Sequence, residues 1–384
     1  MKRNKVFCTE VSNNWKTEEI EMKNIKLKSV LLPITLAISP TFLAHAADAD
    51  TQSQIDALQR RLAELESEDK KEQARKENYG VTVYGSFRPA LTYSDFGNDE
   101  SSTDVTDFFS RIGFKGDIKV NESITAFYQG EWDIDVEADA DFGDARLGFV
   151  GLEGDFGRVA LGKQWSPHYN IVAEATDIFN NRSSPFGYDE ASPFRTNQMV
   201  TYSYSNGGFK LDAGLQFNGD AENSAGGDNS QANNTEQVDS GSIGVSYSFG
   251  DFYLGASYLD QQLDVDDERD FRAVAGSWKV SKDFYVAVTY QDIERTMGTN
   301  TYDQSSFDIA ASYALSKNYT FKTSYFDWDG DGQGRTFDGY NLTLENQLND
   351  SVKVFVEYLT RDIEGGEQQK HVSVGMRYDF EGLF

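Results

Sequence analysis

From residue 79 onward the side chains alternate in character with a period of two, segment after segment, between short polar breaks. In one segment Val352, Val354, Val356 and Tyr358 fall on one face, with Lys353, Phe355 and Glu357 on the other. In a second, Phe284, Val286, Val288 and Tyr290 alternate with Tyr285, Ala287, Thr289 and Gln291. A strand sends successive side chains to opposite faces, so each segment reads as a β-strand with one apolar face. Strand starts fall near Tyr79, Asp107, Ser123, Asp144, Arg158, Thr196, Phe209, Ser240, Asp251, Arg269, Lys282, Asp303, Asn318, Phe337, Asp350 and Gln369, sixteen in all. Short turns, such as those at Asp155-Phe156, Gly250 and Asn349-Asp350, alternate with longer acidic loops, such as 96–106, 219–239 and 327–336.

An even number of strands, with tight turns at one edge and long loops at the other, fits an all-β, sixteen-stranded antiparallel transmembrane barrel with both termini in the periplasm. Such a barrel hides its polar half inside, so negative mean hydropathy is no objection to it. Aromatic residues flank the tight turns: Tyr247, Phe249, Phe252 and Tyr253 surround Gly250, and Phe284-Tyr285 and Tyr319 follow two others. A membrane–water interface favours amphipathic rings at that depth. The formal charge of −28 excludes a phosphate-binding surface for nucleic acid, which needs clustered cations.

The segments before the barrel differ from it in kind. From Met22 a basic start, an apolar run of 29–43 and Ala44-His45-Ala46 make the parts of a secretory signal peptide, with 1–21 an over-extended start. The only cysteine, Cys8, lies in that extension, so the exported chain has no thiol chemistry. Residues 1–46 hold seven basic and four acidic residues, leaving 28 against 59 and a net of −31. Within 47–78, Ile55, Leu58, Leu62 and Leu65 are spaced 3, 4 and 3, an a/d heptad seam. About two heptads admit two readings, a self-associating coiled-coil stub or a solvated helical linker. The barrel occupies 79–384.

Several stretches, taken in order, are similar to the Gram-negative general diffusion porins. They are Val83-Tyr84-Gly85-Ser86-Phe87, Arg111-Ile112-Gly113-Phe114-Lys115-Gly116, Arg146-Leu147-Gly148-Phe149-Val150-Gly151-Leu152 and Phe156-Gly157-Arg158-Val159-Ala160-Leu161-Gly162, followed by a last strand ending in Phe384. The resemblance implies a homotrimer of outer-membrane barrels, set in lipid and lipopolysaccharide, that passes small hydrophilic solutes passively. It also implies that the third long loop, 166–195, folds inward as a constriction carrying Glu174, Asp177, Asp189 and Glu190. Opposite it the family places wall arginines, matched here by Arg111 and Arg146, with Arg195 and Arg88 as further candidates. Parity agrees, because Arg111 alternates with Ile112 and Phe114 and so points away from lipid. Such charges either create a transverse field in the pore or pair to brace the wall. A substrate-selective channel, for an anion such as phosphate or for a sugar, is the alternative. A cell-wall anchor acting through peptidoglycan contact of the N-terminal segment is a further one.

Other chemistry has weaker support. Asp327, Asp329, Asp331 and Asp338 fall at positions 1, 3, 5 and 12 of a twelve-residue calcium-loop spacing, with Gly332 at position 6. The readings are a weak calcium site or a solvated acidic loop. Beyond the signal peptide only His168 and His371 remain. His371 has no obvious nucleophile nearby. His168, at the start of the third long loop, could face Ser or Asp residues but is explained more simply by loop polarity, so no enzyme and no cofactor is expected. The acidic balance predicts a modest preference for cations.

Overall fold

Alternation only makes a fold when each strand finds two neighbours, and here every one does. The computed structural model describes residues 60–65, 67, 80–98, 100–138, 141–180, 185–217, 221–223, 238–264, 266–332 and 334–384. The chain divides into two units, Met1–Arg75 and Lys76–Phe384. In the first, residues 60–65 are helical, with Leu62 and Leu65 exposed. Ile55, Leu58 and the signal segment lie outside the described residues.

The second unit is one closed antiparallel sheet of sixteen staves. They are β1 (Val81–Phe87 and Pro89–Gly97), β2 (Glu100–Asp107 and Arg111–Lys119), β3 (Ile124–Ile134), β4 (Phe142–Gly154) and β5 (Gly157–Trp165). Next come β6 (Pro193–Asn206), β7 (Phe209–Gln216 with Ala221–Asn223), β8 (Ser240–Phe249), β9 (Phe252–Asp264), β10 (Asp267–Lys279) and β11 (Phe284–Met297). The ring finishes with β12 (Asn300–Ala314), β13 (Tyr319–Asp329), β14 (Phe337–Gln347), β15 (Val352–Ile363) and β16 (Gln369–Leu383). The first and last staves pair, from Thr82 with Leu383 to Phe87 with Tyr378, so the sheet has no free edge. Closure satisfies every ladder internally, the condition for crossing a hydrocarbon layer with strands. Glu381-Gly382-Leu383 continue the last stave, and Phe384 N–H donates to the Val81 carbonyl at 2.9 Å.

The barrel is inside out relative to a soluble protein. On β9 and β10 the outward Leu254 and Val274 are 57% and 53% exposed, while the inward Ser257 and Ala273 are 8% and 5% exposed. Outward apolar side chains and inward small or polar ones are what lipid outside and a wet lumen inside require. At the tight-turn edge Tyr247, Phe249, Phe252 and Trp278 form a continuous stacked row with centroids 5.2–6.2 Å apart.

Two expectations about connections need correcting. The second stave begins at Glu100, not near Asp107, so the expected loop 96–106 is mostly paired strand. The connections at 265–266 and 298–299 are short. Above the hydrocarbon band the outer face meets headgroups and water, so strands continue there without the apolar alternation that marks them lower down.

Candidate functional site

The described residues of the connection between β5 and β6, 166–180 and 185–192, pack against the inner wall of the barrel. Ser166 caps a short helix, α1 (Pro167–Ile171), its Oγ accepting from Tyr169 N–H at 3.0 Å, with Pro167 favouring the first turn. The helix rests in a hollow left by wall glycines. A Cβ on Gly244 of β8 would lie 2.7 Å from Ile171 Cγ1, and one on Gly255 of β9 would lie 2.7 Å from the Ile171 carbonyl. Ile171, Phe179 and Phe186 pack on the small inward residues Ala273, Ala275, Ala287 and Ala310.

A loop at membrane depth must find partners for its backbone polar groups, and the wall supplies them. Tyr253 Oη donates to the Ile171 carbonyl and Tyr285 Oη to the Ala175 carbonyl, both at 2.7 Å. Lys322 Nζ donates to the Ile178 carbonyl at 2.8 Å, and Glu357 accepts Asn180 N–H at 3.1 Å. The tip, Phe186-Gly187-Tyr188, is held by Asp308 of β12, which accepts Gly187 N–H at 2.6 Å and Tyr188 N–H at 3.2 Å. Gly187 is needed for space: any Cβ there would overlap the Asp327 carbonyl. The loop is thus tied to an arc running from β8 to β15.

The remaining arc carries Arg88, Arg111 and Arg146, on β1, β2 and β4. Arg88 interrupts β1 and donates from Nε to Ser86 Oγ at 2.7 Å. Arg146 Nε donates to Glu131 Oε1 at 2.7 Å and its Nη1 to Asp133 Oδ1 at 2.8 Å. Arg111 Nε lies 3.7 Å from the other oxygen of Glu131. Beside them Phe109 has φ +64, a left-handed conformation that a bulky side chain rarely adopts, and its carbonyl accepts from Arg111 Nη1 at 3.2 Å. Glu131 and Asp133 were not singled out in the sequence. The signal was parity along β3, where Phe127, Gln129, Glu131 and Asp133 share the inward face.

The other expected residues are dispersed. Arg195, on β6, stands over the Trp165 ring at 5.3 Å. Glu174 lies in the turn after α1, and Asp177 accepts from Tyr169 Oη at 2.7 Å within the loop. Asp189 and Glu190 share the turn Tyr188–Glu190. Glu190 takes a two-pronged contact from Arg335 of the β13–β14 connection, at 3.0 and 3.2 Å, so it faces that connection and not the arginine row.

The twelve-residue acidic spacing spans the ends of two staves and the connection between them. Asp327 and Asp338 sit directly opposite each other on β13 and β14, while Asp331 turns to accept Asp303 N–H at 2.9 Å. Asp329 accepts Asp331 N–H at 3.0 Å. Among the described residues no group of three or more His, Cys, Asp or Glu side chains converges on a metal position. His168 is buried against Tyr188 and Phe271, with Nδ1 2.7 Å from Ser257 Oγ and Nε2 3.2 Å from Gln291 Oε1. Burial holds it neutral, pushing its pKa down to about 4. His371 meets Ser94 Oγ at 2.9 Å on the far wall.

A closed strand ring with an apolar outer belt, a polar lumen and a loop laid across that lumen is a transmembrane channel of the β-barrel class. Outer membrane porin C of Enterobacter cloacae is 24% identical over 304 residues, 74% of this chain and 77% of that protein. The anion-selective porin from Comamonas acidovorans has the same fold, with TM-score 0.65, 18% identity, and coverage of 78% of this chain and 99% of that one. The trimer form of OmpT, an outer membrane protein of Vibrio cholerae, superposes with TM-score 0.59 at 18% identity, covering 78% and 99%. Residues 35–381 match the family model of the Gram-negative porins, and the chain belongs to that family. It is an outer-membrane porin, a passive diffusion channel.

Proposed function

We propose that the channel passes small hydrophilic solutes and ions through a charged constriction. The loop 166–195, with Glu174, Asp177, Asp189 and Glu190, forms one side; Arg88, Arg111, Arg146 and Arg195 belong to the wall. The observation that carries this reading is the tethering of the loop by Asp308, Glu357 and Lys322 to one arc of the wall, which leaves the arginine row on the other arc. Across a narrow aqueous gap, fixed charges of both signs favour polar solutes, while apolar ones must give up hydration for nothing in return. Transport down a gradient needs no cofactor, and no catalytic step is assigned to the Ser257–His168 contact. The working unit in this reading is a homotrimer, supported by the trimer form of the Vibrio cholerae relative. The heptad segment is proposed to contact peptidoglycan.

The test is single-channel recording of purified protein in a planar bilayer under a salt gradient. Ohmic conductance closing in three equal steps is the expected result. A verified insertion that passes no current would refute it. A second reading, a channel selective for an anion, is favoured by the likeness to the anion-selective porin and by the guanidinium row. Saturable block of the current by one solute would distinguish it.

A further inference from the structure

We infer that Phe109 and Asp133 form a sugar-binding step on the wall of the lumen, the ring stacking on one face of a neutral pyranose and the carboxylate taking its hydroxyls. The inference rests on the conduction pathway proposed above and names a solute class for it.

Phe109 stands where a bulky side chain is hard to hold. Ser86 pairs with Arg111 and Pro89 with Asp107, so two residues of β1 face three of β2, Phe108 to Ser110. The extra residue makes a bulge. Arg88 N–H donates to Ser110 Oγ at 2.7 Å and Phe108 N–H to the Arg88 carbonyl at 2.9 Å, which fixes the bulge on both sides. Phe108 turns into the wall, 2% exposed, and stacks on Phe355 with centroids 5.8 Å apart. Phe109 is only half-buried, and of the four described non-glycine residues with positive φ it alone is aromatic. Glycine would occupy this position without strain. Strain retained in a well-braced wall marks a position where the side chain has a use.

The use follows from what lies beside the ring. Arg146 stands 5.9 Å from its centroid and donates from Nη1 to Asp133 Oδ1 at 2.8 Å. Asp133 pairs directly with Arg111, the second residue after Phe109 along β2. The side chains of Arg111, Glu131 and Arg146 are at most 5% exposed, whereas that of Asp133 is 38% exposed. The guanidinium groups are packed into the wall, and the ring and one carboxylate face the aqueous path. Asp133 Oδ2 takes no hydrogen bond from the described residues, so an oriented acceptor stands open beside an apolar face. A pyranose matches that arrangement, with C–H bonds on one face and hydroxyl donors around its rim. The electron-rich face of a phenyl ring attracts the C–H face, and a charged acceptor strengthens the hydroxyl hydrogen bond. A simple ion has no such face, and an acyclic polyol has no flat one.

The experiment is the open-channel current of the full chain in a planar bilayer at symmetric salt as D-glucose is raised, with sorbitol as the acyclic control. Glucose should block the parent saturably, while sorbitol should lower the current only as far as viscosity does. Phe109→Gly should raise the half-blocking glucose concentration about two- to tenfold, the range for losing one aromatic contact. The dissociation temperature of the folded barrel should hold or rise in that variant, because the strain is gone. Phe109→Tyr should keep the parent value, and Asp133→Ala should raise it roughly tenfold. A ring that merely braces the wall gives the opposite pattern in Phe109→Gly, a lower dissociation temperature with the parent's block, and that result overturns the assignment. If Phe109→Gly fails to assemble, Asp133→Ala carries the test, and parent-like block in it overturns the assignment. A conducting parent that glucose and sorbitol affect alike overturns it and leaves the conduction pathway standing. A parent that passes no current overturns both.

Discussion

Replacing Asp308 by alanine should free the tip of the inward loop without opening the barrel. Asp308 accepts three hydrogen bonds: Gly187 N–H at 2.6 Å, Tyr188 N–H at 3.2 Å and Thr289 Oγ1 at 3.2 Å. Thr289 belongs to β11 and stays beside Asp308 wherever the loop goes, so two bonds tie the tip. Hydrogen bonds to a charged acceptor contribute about 1.5–3 kcal/mol each, putting the loss at about 3–6 kcal/mol, less whatever water recovers. Even about 3 kcal/mol raises the undocked fraction of the tip by about two powers of ten. The ties at Ile178, Asn180 and Ser192 remain, so movement is confined to the stretch around Phe186-Gly187-Tyr188. The assay is open-channel current at high bandwidth. Asp308→Ala should show added current noise and a higher mean conductance, with the folded barrel's thermal dissociation unchanged. Asp308→Asn keeps one acceptor and turns an amide donor toward the other N–H, so it should fall between parent and alanine. Parent-like noise and conductance in a correctly assembled Asp308→Ala channel would refute the tether.

Gly244→Val should push α1 off its seat, because its Cβ would stand 2.7 Å from Ile171 Cγ1; overpacking of that kind costs about 1–3 kcal/mol, and a rise in conductance checks it. Val274→Arg places a cation on the lipid face at mid-stave and should cost about 2–4 kcal/mol, read as a lower dissociation temperature of the folded barrel. His168 is held near 4 when buried against an ordinary value of 6.5, so the released loop binds the extra proton between those values. Docking therefore weakens as pH falls from 6.5 toward 4, by at most about 3 kcal/mol, and changes no further below that. Current noise should rise through that window in the parent and stay flat in His168→Gln.

Sixteen strands and their parity were legible because each rests on local chemistry, whereas the inward third loop followed only from the family resemblance. A lipid-facing position must be apolar wherever it falls, so Val274 and Leu254 announce their own direction. The same rule explains the failure at Glu100–Asp107: above the hydrocarbon band nothing obliges an outward side chain to be apolar, and the strand became invisible while its hydrogen bonds continued. The placement of Asp327 and Asp338 was hidden for a related reason. β13 runs on to Asp329 and β14 resumes at Phe337, which makes the two a cross-strand pair, a neighbourhood that spacing alone does not reveal.

The partners of the arginines belong to a harder class. Parity says that Arg111 and Arg146 point inward, and says the same of Glu131, yet it cannot say which inward side chains touch. Contact across neighbouring staves depends on register, and register between β3 and β4 depends on a shift at Glu131 and Trp132 that no alternation pattern records. One residue of slip decides whether Arg146 meets two carboxylates or none. How far Arg146 is neutralised is therefore set by the backbone at a single irregular position. Two chains with the same inward residues and different bulges would differ in selectivity, which is why a count of charged residues, here −28 overall, is a poor guide to the field inside the pore.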